Sequence, residues 1–469
     1  MAEAIWRWSA VDTAAAIRRG DITCVQAVEA AAARLAEANP GVNAVTLDLT
    51  EEALTQAKQA DAVAASGVAI GPLHGVPITI KENVDQAGVT NPNGLPAFEN
   101  LVADEDAPLV ANLRQAGAII IGRTNTPEFS YRWFTDNPLR GKTLNPWDPG
   151  VTPGGSSGGA AASVALGIGA IAHGNDLGGS LRYPAYACGV ATIRPSLGRI
   201  PSYNPSADGE RPPTLQLMSV QGPIAREVRD VRLGLAVMAG RDARDPWWVP
   251  APLEGPPLAP PIRVAVSKEA TGVACDPAVA AAIDQAAAHL VAAGYAVEAV
   301  DPPFAAEIAE RWRALLGADT RAMMLPTVRE HGSPLINDLV DVFVGASDVD
   351  SLDGYIRATA DRTRLWRAWS VFQEDYPLVL APVSQVPPFP QGADEQGPES
   401  YRQLMDHQSM LYAVNLLGLP SAAVPTGLAG DAPIGVQIIG PRFREDLCLD
   451  AAQVIETATG VLARQLWDR

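Results

Sequence analysis

Sulfur and imidazole are scarce in this chain: its 469 residues include four cysteines and five histidines. Cys24, Cys188, Cys275 and Cys448 are far apart and show no paired spacing of the zinc or redox kind, which argues against a disulfide framework and for reduced thiols. The histidines are equally scattered, so no metal site is legible. Positive charge is also in short supply. Lys and Arg number 35 against 53 Asp and Glu, a formal net charge of −18, and an acidic surface of this kind repels polyanions and argues against nucleic acid as a partner. No stretch reaches about 18 uninterrupted apolar residues, so no membrane association is expected. Met1 to Asp12 carries charges and two tryptophans in place of the apolar centre of a leader, and the expected compartment is the cytoplasm.

What is present suits a large soluble core. Hydrophobic residues make up 47% and charged residues 19%, a balance that excludes general disorder. We expect one domain over residues 1–469, with an N-terminal helical segment of about residues 1–65 packed on the body. Thr23 stands as an N-cap before the alanine-rich run Val25 to Ala38, which Asn39-Pro40-Gly41 ends. Gly75 to Val84 reads as a strand that delivers Lys81 near its end. A helix over Ala107 to Ala116 and a buried strand at Ala118 to Ile121 complete a βαβ pattern. A helix from Gly159 to Leu166 and a strand from Ile168 to Ala172 follow. Pro250 to Pro261 is a proline-rich surface connection. Ile262 to Val266, Pro277 to Ala293 and Ala296 to Val300 form a second βαβ pattern. Three strand candidates (Leu378 to Ala381, Ser421 to Pro425, Ile434 to Ile439) and helices around Ser351 to Asp375, Ser400 to Leu417 and Glu445 to Ala458 close the chain. Alternation of this kind over the whole length points to a layered α/β fold.

The chemistry concentrates between Pro153 and Arg199. Ser156 lies in Pro153-Gly154-Gly155-Ser156-Ser157-Gly158-Gly159, and Ser180 in Gly174-Asn175-Asp176-Leu177-Gly178-Gly179-Ser180-Leu181-Arg182. Glycines this dense serve special backbone dihedrals or close approach of a ligand to the main chain. Consecutive amides at Leu177, Gly178, Gly179 and Ser180 are able to hold the oxyanion of a tetrahedral intermediate, with Ser180 attacking from the same turn. A serine hydroxyl needs a base, and a lysine kept neutral by burial is one. The apolar run Pro77-Ile78-Thr79-Ile80 makes Lys81 the candidate.

Rival readings exist. Gly154-Gly155-Ser156-Ser157-Gly158 also fits the serine elbow of a Ser-His-Asp hydrolase, with His331 or His407 as base, but Asn145-Pro146-Trp147-Asp148-Pro149-Gly150 stands where the preceding strand belongs. Gly141-Lys142-Thr143 is no phosphate loop, since Asp136 occupies the position of its first glycine.

Gly75 to Asn83, Gly117 to Asn125, Pro127-Glu128-Phe129, Asn145-Pro146-Trp147, both glycine turns, Asn415 to Pro420 and Pro433 to Gly440 together resemble the amidase signature family over nearly the whole chain. The resemblance implies a single α/β domain with a mixed central β-sheet covered by helices on both faces. It implies Ser180 as nucleophile, Ser156 as a bridging serine on a cis peptide and Lys81 as terminal base. Ser157, Asp176 and Arg182 match supporting positions, and Ser130, Tyr131 and Trp133 lie near an acyl pocket. It implies no metal or organic cofactor. The expected partner is a small amide, with esters and carbamates (a urethanase-like activity) open to the same machinery, and the family often forms homodimers. The alternative within the family is the glutaminase subunit of a tRNA-dependent amidotransferase, whose pattern is not found from Ser202 to Thr214. The chain departs from the usual pattern at Glu82, at Asn175, where a hydroxyl residue is common, at Ile193 to Ser196 and in the loop Asn91 to Pro96.

Overall fold

The computed structural model describes residues 4–469. Its strands are β1 (Val45–Asp48), β2 (Pro77–Lys81), β3 (Ile119–Thr124), β4 (Ile171–Asp176), β5 (Ala191–Arg194), β6 (Val220–Ala225), β7 (Arg263–Val266), β8 (Ala296–Ala299), β9 (Leu378–Pro382), β10 (Ser421–Ala429) and β11 (Ala432–Ile439). They form one mixed sheet in the order β1-β3-β2-β4-β6-β5-β10-β11-β9-β7-β8. Both expected βαβ units are present as parallel pairs, β2 with β3 and β7 with β8.

Helices cover both faces of this sheet, and the strands show why. Along β9, Leu378 and Leu380 join one apolar cluster with Leu235, Ile283 and Ile455. Val379 and Ala381 join another with Ile308, Trp312 and Leu411. Successive side chains point to opposite faces of a strand, so a run apolar at every position is buried from both sides. The same alternation on β2 sends Ile78 and Ile80 into the first cluster. Thr79 and Lys81 then fall on the other face, where Thr79 Oγ1 meets Ser163 Oγ at 3.4 Å.

The N-terminal segment carries the expected helices and a strand besides. Helices Ala10–Arg19, Cys24–Ala38 and Thr50–Ala65 form, the second closed by a capping box in which Thr23 and Gln26 exchange hydrogen bonds. Between them β1 adds an antiparallel edge strand to β3, so this segment is part of the sheet as well as a helical layer on it. Residues 1–3 of the expected segment lie outside the described residues. Two other boundaries move. The strand expected at Ile168 to Ala172 runs from Ile171 to Asp176, because positive φ at Gly167 and Gly169 keeps the chain turning. The helix expected over Ser400 to Leu417 is two helices, Pro398–His407 and Ser409–Leu417, parted at Gln408.

Candidate active site

Lys81 is the last residue of β2, between β3 and β4, and is fully buried. Three neutral oxygens surround its Nζ: Ser156 Oγ at 2.7 Å, Asn175 Oδ1 at 2.8 Å and Ser157 Oγ at 3.0 Å. Burial pushes the ammonium well below the usual lysine range, and the charge of Asp176 opposes this without reversing it. A neutral lysine has two N–H donors and one lone pair. Donation to Asn175 and Ser157 leaves the lone pair for the Ser156 hydroxyl proton.

Ser156 and Ser157 stand before the buried helix Gly158–Ala165, and the Gly155–Ser156 peptide is cis. Glycine is needed at 155, where a Cβ would lie 2.3 Å from the Arg132 carbonyl oxygen. From this helix the chain enters β4, which ends in the second turn. The expected arrangement of one helix and one strand between the two serines therefore holds, and both side chains line a single cavity of about 620 Å³. The Ser180 hydroxyl has no hydrogen-bond partner among the described residues, so it is free to meet a ligand.

Asp176 organises the second turn. Its carboxylate accepts from Gly179 N (2.9 Å) and Leu181 N (3.3 Å), from Arg182 Nε (3.0 Å) and from Asn415 Nδ2 (2.8 Å). Arg194 lies 3.7 Å away. Burial alone would raise this carboxyl; Arg182, Arg194 and the hydrogen bonds overcome it and hold it well below the usual carboxylate range. This revises one expectation. The Gly179 amide is committed to Asp176, whereas the amides of Leu177, Gly178 and Ser180 have no acceptor among the described residues. Arg182 also bridges to Gln437 and the Leu411 carbonyl, anchoring the turn to the far half of the sheet.

The three residues expected near an acyl pocket line the cavity, but their polar groups are committed elsewhere. Ser130 Oγ donates to Asn93 Oδ1 (2.8 Å) and accepts from Asn83 Nδ2 (2.8 Å). The Tyr131 hydroxyl pairs with Thr320 Oγ1 at 2.6 Å, and Trp133 Nε1 donates to the Gly178 carbonyl at 3.1 Å. Tyr131 and Trp133 offer a ligand ring surface and shape, joined by Phe129, Trp312, Phe343 and Tyr401. The lining also includes the polar residues Asn204, Gln216 and Gln221.

Several residues of the site escaped the sequence reading. Asn175, in sequence only a departure from the family pattern, touches Lys81 and donates a hydrogen bond to Asn83 (3.0 Å), which continues to Ser130. The divergent loop supplies Asn93 to the same chain. Trp312 belongs to the helix Ala305–Asp319, in a stretch without any sequence motif. The histidine rival finds no support. His407 lies against Phe389 and His331 against Phe98, neither lines the cavity, and no histidine among the described residues bonds to Ser156, Ser157 or Ser180. His173, the histidine on β4, pairs with Gln221, and burial pushes it down to about 3. No group of three or more His, Cys, Asp or Glu among the described residues is arranged to hold a metal ion, and no helix among them is long and apolar enough to cross a membrane.

Comparison with known proteins assigns the chain to the amide hydrolases. It is 52% identical over 465 residues, 99% of this chain and 89% of the relative, to the indoleacetamide hydrolase of Bradyrhizobium diazoefficiens. The crystal structure of a bacterial aryl acylamidase of the amidase signature enzymes superposes with a TM-score of 0.84, covering 98% of each chain at 26% identity. The chain belongs to the amidase signature family: the family model described as Amidase matches residues 26–449. A more distant similarity, 31% identity over 94% of this chain and 95% of the relative, links it to a glutamyl-tRNA(Gln) amidotransferase subunit of Heliobacterium modesticaldum.

Proposed function

We propose that this amide hydrolase cleaves the C–N bond of arylalkyl amides through an acyl-enzyme on Ser180, with Ser156 and Lys81 carrying the proton. The observation that carries the reading is the setting of Lys81, a fully buried lysine in contact with the hydroxyl of Ser156 beside the cavity that holds Ser180, its ammonium pushed below the usual lysine range by burial.

Ser180 Oγ attacks the carbonyl carbon. Its proton passes to Ser156 Oγ while the Ser156 proton passes to Lys81 Nζ. Main-chain amides of the Leu177 to Ser180 turn stabilise the oxyanion. As the C–N bond breaks, the relay returns the proton to the departing amine, and water then hydrolyses the ester by the reverse path. The aromatic wall of Phe129, Tyr131, Trp133, Trp312, Phe343 and Tyr401 supports an aryl acyl group, and the similarity to an indoleacetamide hydrolase supports a primary arylacetamide. Esters and carbamates pass through the same type of oxyanion, so activated examples are turned over as well.

Two assays test this. Ammonia release is measured from indole-3-acetamide, phenylacetamide and glutamine; the arylacetamides are hydrolysed and glutamine is not. Intact mass is measured after a fluorophosphonate, comparing the parent with Ser180→Ala, Ser156→Ala and His407→Ala. One adduct forms, disappears in Ser180→Ala, slows in Ser156→Ala and is unchanged in His407→Ala. An adduct that persists in Ser180→Ala overturns the assignment.

A further inference from the structure

The turn that carries Ser180 is gripped from outside by two indoles. Trp312 Nε1 donates to the Leu177 carbonyl at 3.0 Å, and Trp133 Nε1 donates to the Gly178 carbonyl at 3.1 Å. In a trans peptide the C=O and the following N–H point in opposite directions, so fixing one aims the other. The two grips differ in consequence. In the Gly178–Gly179 peptide the N–H is already closed by Asp176 Oδ1 at 2.9 Å, so Trp133 adds a second restraint to a group that is held anyway. In the Leu177–Gly178 peptide the N–H has no acceptor among the described residues, and Gly178 lines the cavity shared with Ser180. Among the described residues, Trp312 makes the one hydrogen bond to this peptide.

Trp312 is itself buried and packed against two rings. Its ring stacks on Tyr412 with centroids 4.1 Å apart and planes 6° from parallel, and meets Phe343 edge-on at 5.8 Å. It presses so close to the turn that a Cβ on Gly178 would lie 2.9 Å from its Cζ2. The same indole is part of the cavity wall on which an aryl group would lie.

We propose that Trp312 is a positioning residue: its ring N–H aims the Gly178 amide at the oxyanion that forms when Ser180 attacks, and its face couples that alignment to the fit of the acyl group. The proposal rests on Ser180 being the nucleophile. Loss of the indole N–H leaves the Leu177 carbonyl without its donor and the peptide free to rotate, which weakens a transition-state contact and spares ground-state binding.

The test compares Trp312→Phe with the parent on an arylacetamide. Trp312→Phe lowers kcat by up to about 10²-fold, the lower end of what removal of an oxyanion donor costs, since the amide is misaligned and not removed, with KM within about 3-fold. An arylmethyl boronic acid, which forms a tetrahedral adduct, loses affinity in Trp312→Phe by the same factor as kcat, and the arylacetate product does not. Replacement of Trp312 by β-(3-benzothienyl)alanine, which keeps the bicyclic shape and removes only the N–H, reproduces the loss even where Phe perturbs folding. A rise in KM at constant kcat, equal losses of boronate and arylacetate binding, or an unaltered benzothienyl variant overturns the proposal. Failure of the nucleophile assignment shows separately, as a fluorophosphonate adduct that survives Ser180→Ala in the otherwise unchanged protein.

Discussion

Asn175 Oδ1 lies 2.8 Å from Lys81 Nζ, so the lysine meets an amide where a carboxylate would lock it as a cation. The amide is held in turn by Asn83, and a neutral acceptor at this point favours the charged form of lysine far less than a full negative charge does. Asn175→Asp adds that charge and raises the Lys81 pKa. The acidic limb of kcat/KM against pH then moves about 1–3 pH units upward, as an opposite charge at contact distance dictates. Asn175→Ser leaves the limb close to its parent position. An unmoved limb in Asn175→Asp removes Lys81 from the role of base.

Lys81→Met separates function from stability. The buried amine is costly whenever it is protonated, and methionine fills similar space without charge. Hydrolysis falls by more than about 10³-fold, as loss of the base of an activated nucleophile requires. The melting temperature stays equal to the parent's or rises, since catalytic groups of this kind are held at a cost in stability. A large drop in melting temperature would show that Lys81 is a structural tie.

Asp176→Asn strips the counter-charge from Arg182, which like Asp176 is fully buried, and from Arg194 at 3.7 Å. Breaking a buried pair by removing one partner costs about 3–5 kcal/mol. Urea unfolding should show a loss of this size, together with loss of activity, because the Gly179 and Leu181 amides use different carboxylate oxygens and an asparagine keeps an acceptor for only one of them. A variant with full activity contradicts the role of Asp176 in shaping the turn.

Glu456 provides a test of stability against pH. Burial pushes its carboxyl up to about 7 from an ordinary 4.5, although it accepts from Val228 N at 2.7 Å. The folded state therefore binds this proton more tightly than the unfolded chain does. Its contribution is fully present below pH 4.5 and is lost as pH rises through 7. Glu456→Gln, which has no charge to desolvate, should flatten the fall in unfolding free energy between pH 5 and 8 by about 2–3 kcal/mol. Parallel stability curves for parent and variant would show that Glu456 does not titrate in this range.

Much of this site was readable before any fold was known, and the reasons are local. Gly155, whose Cβ would strike the Arg132 carbonyl, and Gly179, at φ 98° with Leu411 Cδ1 2.3 Å from a Cβ position, are glycines because no other residue fits. An apolar strand ending in lysine announces Lys81 because burial of that run carries the amine inside with it. Asn83 was visible within the same motif but carried no signal of its partners, and Trp312 carried none, since a tryptophan on an amphipathic helix reads as core. β1 was missed because four residues at a sheet edge, half-buried, leave little alternation to detect.

The sequence by itself determined the local chemistry: which turns are glycine-bound, which serines they present, and which strand ends bring a lysine out of solvent. These follow from backbone sterics and hydrophobic runs within a few residues of each other. The tertiary structure alone decided which amides of the turn lack an acceptor among the described residues, because Asp176 takes Gly179 and the indoles of residues 133 and 312 hold the carbonyls beside it. It also decided that Lys81 faces Asn175 in place of a charge. Hydrogen bonds between groups far apart in the chain depend on sheet order and helix packing, and neither is encoded in any short stretch of residues.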